Sequence, residues 1–294
     1  MIKGINQFCW PDSVSLKDCI SQASRLEYES FEVCMTDIQS PTAHNINADR
    51  LGIADYFNPL FNTKSNFNDY KEIKSIADGE GIKISSIGSI LTFTGYPITS
   101  KDKNVVSKGI DCIVKMVEAA QFFGADTVLV IPGVMTPDMD YQGGYDRAQN
   151  AISKAAVSAK ACNVTLAIEN VWNNYLTSPL EIKSFVEQIN SDYVGVYFDV
   201  ANAKIFGHPE QWIKILGTRI KKLHIKDFRS SVGNINGFTN LLDGDVNYPN
   251  VFKALKSIAY DGELVVELIP PPSYCGNEYL QSASNILSKL IKTY

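Results

Sequence analysis

One pattern narrows the folds open to this chain more than any other. Short apolar, often β-branched runs alternate with amphipathic helical stretches from one end to the other. The runs fall at residues 2–8, 30–35, 82–90, 126–131, 164–169, 194–199, 219–226 and 263–268, and read as strands. Ser15 can cap a helix carrying Leu16, Cys19, Ile20, Ala23 and Leu26 on one face. Further helices are expected from Asn68 to near Gly79 and Gly81, over 102–123 closed by Gly124, and over about 145–162. Others should open at Ser178-Pro179, Pro209 (ending at Gly217) and Tyr248-Pro249, and the last should cover 278–291. Residues 36–68 form a polar connection too long for an ordinary loop, so a partly helical lid or a mobile flap is expected there.

Strands joined through helices must lie parallel. Eight such units favour closure, because an open sheet would leave two edges unpaired. The rival arrangement, a doubly wound sheet, would want a glycine-rich phosphate loop after the first strand, where this chain has Cys9-Trp10-Pro11-Asp12. The expectation is an α/β fold, a (β/α)8 TIM barrel, occupying residues 1–294 as a single domain, a length that suits it.

A net charge of -5 and a pI near 5.3 speak against a nucleic-acid-binding surface, which needs a basic stripe. No apolar run reaches the roughly 18 residues of a membrane span, and the opening MIKGINQF lacks the pattern of a signal peptide. Six cysteines, far apart and without a CxxC, read as reduced thiols, which makes a cytoplasmic chain the expectation.

Function is written at the strand ends. Barrel strands alternate between lumen and helices. If Leu166 and Ile168, Val196 and Phe198, Leu223 and Ile225, and Val266 and Leu268 pack outward, then Glu169, Asp199, His224 and Glu267 all point inward at the carboxyl-terminal rim, the face where barrel enzymes carry their sites. Taken singly, each could be a cap or a salt-bridge partner. Three carboxylates gathered inside a barrel repel one another unless a cation or a proton intervenes. With one imidazole they form an oxygen-rich set suited to Mn²⁺, Mg²⁺ or Co²⁺, with Zn²⁺ or Fe²⁺ as further candidates. Such an ion can polarise a hydroxyketone through its carbonyl and neighbouring hydroxyl and stabilise an enediolate. Glu169 and Glu267, from non-adjacent strands, can then move protons on opposite sides of the substrate. The outcome is epimerisation, or aldose–ketose isomerisation if the proton returns to the neighbouring carbon. Lys226 and Arg229 are candidate phosphate anchors near the last loops of the barrel. Trp10 and Trp172 are candidate walls for a sugar, and Asn202 and His208 candidate contacts to it.

The motifs AIEN at 167–170, FDVANAKIFGHPEQW at 198–212, KKLHIKDF at 221–228, LLDGDVNYP at 241–249 and ELVVELIP at 263–270 resemble the sugar phosphate isomerase/epimerase family of xylose-isomerase-like barrels. The resemblance covers essentially the whole chain. It implies that Glu169, Asp199, His224 and Glu267 hold the metal and that the two Glu also carry the proton. It further implies a small sugar or sugar phosphate as partner, and a homodimer or homotetramer. Free-ketose 3-epimerases of this kind place a His where Asn202 stands and a second Glu where Tyr175 stands, so the Asp-x-x-Asn form is closer to ketose-phosphate 3-epimerases. A dehydratase of the inosose or dehydroshikimate type would use the same enolate on the same barrel. A DNA-repair endonuclease of this fold would need more than the three His present. A non-catalytic sugar-binding barrel would keep metal and ligand after Glu169→Gln.

Overall fold

The computed structural model describes residues 1–11, 13–37, 58–269 and 276–294. Eight parallel strands close into a barrel: β1 (Ile2–Asn6), β2 (Ser30–Cys34), β3 (Lys83–Gly88), β4 (Thr127–Val130), β5 (Thr165–Glu169), β6 (Val194–Asp199), β7 (Ile220–Ile225) and β10 (Glu263–Val266). Around the ring, β10 lies between β7 and β1, and each of the others pairs with its sequence neighbours. Two short strands, β8 (Asp227–Phe228) and β9 (Phe238–Thr239), form a separate antiparallel ribbon above β7.

The helices start and stop for local reasons. Ser15 accepts a hydrogen bond from the Asp18 amide and opens α1 (Leu16–Arg25). Asn66 and Asp69 make a reciprocal capping box that opens α2 (Phe67–Gly79). Asp102 opens α3 (Lys103–Phe123), which ends on Gly124 at φ 77°, a left-handed position that glycine adopts without strain. The fourth helix, α4 (Tyr141–Cys162), begins earlier than the sequence suggested, because Asp140 caps it at the Gly143 amide. Ser178 caps α5 (Pro179–Ile189) with proline in the first turn. Then come α6 (Val200–Phe206), α7 (Pro209–Leu216), α8 (Tyr248–Ser257) and α9 (Gly276–Thr293). The short α6 fills the interval between β6 and the helix expected at Pro209. Most of the 36–68 connection lies outside the described residues.

Strand parity divides the interior in two. Outward side chains such as Phe31, Val33, Leu166, Ile168, Val196, Phe198, Leu223 and Ile225 pack against the helices in one continuous core. Inward, Leu129, Ala167, Tyr197 and Val265 form a smaller apolar plug inside the barrel. The amino-terminal end is closed by the buried Lys222, whose Nζ lies 2.6 Å from Glu263 Oε2 and 3.1 Å from Asp126 Oδ1. The opposite end is left free for polar groups. Among the described residues no helix is long and apolar enough to cross a membrane.

Candidate active site

Four strands deliver one ligand-type side chain each to the carboxyl-terminal rim. Glu169 is the last residue of β5, Asp199 the last of β6, His224 sits near the end of β7, and Glu267 directly follows β10. Register does the gathering: Asp199 pairs with His224, and His224 with Val265, two residues before Glu267. His224 Nδ1 lies 3.0 Å from Glu169 Oε1, 3.5 Å from Glu267 Oε2 and 3.9 Å from Asp199 Oδ2. One ligand atom from each residue can be chosen so that all lie within 4.8 Å of one another. The Lys226 ammonium bridges Asp199 Oδ2 and Glu267 Oε2. The backbone ends of β5 and β6 are tied by Asn170, whose Oδ1 accepts from the Asp199 backbone N–H at 2.8 Å and whose Nδ2 donates to the Asp199 carbonyl at 2.9 Å. Asn202 continues the lattice, its amide donating to Asp199 Oδ1 at 2.8 Å and its Nδ2 to the Asn170 carbonyl at 3.0 Å.

The charges in this space are unbalanced. Glu32, Glu169, Asp199 and Glu267 contact two basic side chains, His224 and Lys226. Burial pushes the Glu169 carboxyl up to about 7, against the pull of the His224 hydrogen bond and charge. Burial likewise raises Asp199 against the opposing charge of Lys226. For His224, burial alone would favour the neutral ring, yet the charges of Glu267 and Glu32 outweigh it and hold the imidazole well above its usual range. Glu267 goes the other way: burial is overcome by His224 and Lys226, and the carboxyl stays below its ordinary value. A site that must collect protons to offset crowded carboxylates is one where a divalent cation fits, since the ion supplies the same compensation without them. Three carboxylates and one imidazole are the donors expected for a hard or borderline ion.

A family profile for xylose isomerase-like TIM barrels matches residues 20–285. The chain belongs to that family. UlaE of Salmonella paratyphi A, an L-ribulose-5-phosphate 3-epimerase, is 24% identical over 195 residues, which is 64% of this chain and 65% of that protein. SgbU of Escherichia coli is 27% identical over 179 residues, 59% of this chain and 62% of its own. The match thus spans under two thirds of the length of these curated relatives. Among solved structures, a D-tagatose 3-epimerase-like protein superposes with a TM-score of 0.79 at 19% identity, covering 100% of this chain and 98% of the other. A D-allulose 3-epimerase from Methylomonas sp. gives 0.74 at 16%, covering 99% and 98%.

In this xylose isomerase-like barrel a pocket reaches two of the four rim residues, Glu169 and Glu267. Glu169, Asn202, Lys226 and Glu267 form its polar floor, and Phe8, Ile131, Trp172 and Phe238 stand among its apolar walls. Asn202 Oδ1 is buried with no hydrogen-bond partner among the described residues. Trp10, His208 and Arg229, also expected as contacts, lie elsewhere. Trp10 is buried, donates from Nε1 to Gln22 and packs its ring 6.0 Å from Phe31, so it belongs to the helix side of β1. His208 precedes α7, 64% exposed and 3.8 Å from Glu210. Arg229 is turned outward and paired with Asp243, because the ribbon carries it past the rim. Lys226 reaches the pocket, but its ammonium is committed to Asp199 and Glu267. Tyr175 is buried between Tyr141 and Phe185. Sequence reasoning passed over Glu32 and Asn170. The signal for Glu32 was there, since outward Phe31 and Val33 leave Glu32 facing the lumen.

Proposed function

We propose that this chain is a divalent-metal-dependent ketose epimerase that exchanges the proton on the carbon beside the substrate's carbonyl. One observation carries the reading: Glu169 and Glu267 come from non-neighbouring strands to one cluster with Asp199 and His224, and both line a pocket open to a small molecule. Sugar epimerases among the relatives and the solved structures support it. When bound, the divalent ion supplies Lewis acidity toward the carbonyl and adjacent hydroxyl oxygens. Mn²⁺, Mg²⁺ or Co²⁺ suits the donors best. Glu169, one of the two carboxylates that line the pocket, takes and returns a proton. Glu267 does the same from the other side. Lys226 steadies Asp199 and Glu267, and the free Oδ1 of Asn202 accepts a hydrogen bond from a sugar hydroxyl. An uncharged ketose suits the pocket better than its phosphate. Lys226 is the one cationic side chain among the described lining residues, it is already doubly paired, and the walls are apolar.

The test is a panel of ketoses and ketose phosphates incubated with Mn²⁺-loaded protein in D₂O and followed by NMR. The expected result is deuterium at the carbon next to the carbonyl, with the C3 epimer accumulating. Isotope uptake with loss of water would replace the epimerase by a dehydratase, and no uptake in any member would overturn the proton-transfer reading.

A further inference from the structure

Glu32 lies in the middle of β2, fully buried, across the barrel from β7. Its Oε1 lies 2.9 Å from His224 Nε2, its Oε2 accepts from Ser86 Oγ at 2.6 Å, and Asn6 Nδ2 donates to Oε1. A carboxylate in a dry interior is costly unless each lone pair is matched. Elsewhere in the lumen the cheaper solution is used, with Leu129, Ala167 and Val265 packing apolar atoms inside the barrel. The retained charge has one basic partner, His224, whose other nitrogen faces Glu169, Asp199 and Glu267.

We propose that Glu32 is a positioning residue for His224. It accepts a hydrogen bond from the His224 Nε2–H, fixes the tautomer in which the Nδ1 lone pair faces the three carboxylates, and thereby raises the affinity of the rim for a divalent cation. The proposal rests on the reading of those four residues as a metal site. Carboxylate partners behind a ligating imidazole orient the ring and make it a better donor, and their loss typically weakens metal binding by about 10- to 100-fold. Ser86 and Asn6 keep the carboxylate from rotating away, so the sequence of contacts runs from β1 and β3 through β2 to the ring on β7.

Two measurements test it. Titration calorimetry with Mn²⁺ compares the wild-type protein with Glu32→Gln, which keeps the shape but not the charge, and with Glu32→Leu, which keeps neither the charge nor an acceptor. The expected dissociation constants rise by about 10-fold and up to about 100-fold respectively, while thermal melting shows both variants folded. Wild-type affinity in both folded variants would overturn the proposal and reduce Glu32 to a packing residue. A wild-type chain that takes up no Mn²⁺ would instead overturn the metal reading, and this proposal with it. Independently of any variant, a long-range proton–nitrogen spectrum of Zn²⁺-loaded wild-type protein reads the tautomer of His224 directly, in a chain with three His. Protonated Nε2 with Nδ1 on the metal is expected, and the reverse assignment would overturn the proposal even if neither variant folds.

Discussion

Glu169 is the residue on which chemistry and sequence logic meet. Its carboxyl closes β5, is 5% exposed, and is pushed up to about 7 by burial. In the metal-free rim that places its two protonation states close in energy near neutral pH; a cation bound there would favour the ionised form, ready to accept a proton. Glu169→Gln preserves size and polarity but removes the exchangeable carboxyl proton. Solvent deuterium incorporation into the ketose should fall by roughly 100- to 10,000-fold. A loss under tenfold, measured by the same NMR assay, would take Glu169 out of proton transfer. The placement of this residue was legible in the sequence because parity along an alternating strand is a hard geometric constraint. The same rule would have found Glu32. Side chains on loops carry no such constraint, and there the sequence misplaced them. Arg229 and His208 have the right chemistry for a sugar or phosphate, yet one is held outward by Asp243 and the other stays at a solvent-exposed helix start. Trp10 was misplaced for a different reason: Gln7–Cys9 form a 3-10 turn after β1, which carries Trp10 back toward α1 instead of over the rim.

The elements that frame the pocket depend on a few buried polar contacts. Asp227 accepts from the amides of Phe228 at 2.8 Å, Val246 at 2.9 Å and Leu242 at 3.1 Å. A Cβ at Gly244 would collide with its carboxylate, so the loop closes on Asp227 with glycine at that approach. The loop so anchored carries Ile235 and Phe238 onto the pocket wall. Asp227→Ala strips three amides of their acceptor. It should destabilise the fold by about 3 kcal/mol in urea unfolding, given what buried bonds to a charged acceptor contribute, and raise KM more than it lowers kcat. An unchanged KM would mean that the loop does not shape the pocket. This ribbon was invisible in the sequence, because its two-residue strands lie below the length at which alternation can be read. The helix α6 was missed for another reason. Asp199 reads as a strand end and a ligand, and it is also the cap that starts α6 by accepting from the Asn202 amide. The Asp-x-x-Asn spacing is therefore partly a helix-start signature, which weakens any substrate assignment drawn from it alone.

At the scale of the whole molecule, the eightfold alternation was enough to specify a closed barrel, since parallel strands with helical crossovers and no free edges leave few other solutions. The two ends of that barrel are electrostatically different. Lys222 and Lys83 face Glu263 and Asp126 in a matched cluster at the amino-terminal end, whereas among the described residues the rim holds more carboxylates than bases. This mismatch makes stability depend on pH in a definite direction. In the folded protein the Glu169 carboxyl keeps its proton up to about 7, against an ordinary value of 4.5. The His224 ring keeps its charge well above its ordinary 6.5. Between pH 6 and 8 the unfolded chain has already released the Glu169 proton and is releasing that of His224, while the folded chain still holds more of both. The folded state then binds more protons than the unfolded one, so raising the pH lowers stability across this window. Glu267 and Glu32, both held below their ordinary 4.5, are ionised throughout it and add no slope. Chelator-treated protein should therefore melt at a lower temperature at pH 8 than at pH 6. With Mn²⁺ the difference should shrink or reverse, because an ion that displaces protons binds more tightly as they become scarcer. Glu169→Gln, which cannot ionise at that position, should show a shallower dependence than the wild type without metal. If metal-free wild-type protein and Glu169→Gln lose stability equally between the two pH values, Glu169 does not carry the proton that the crowded rim requires.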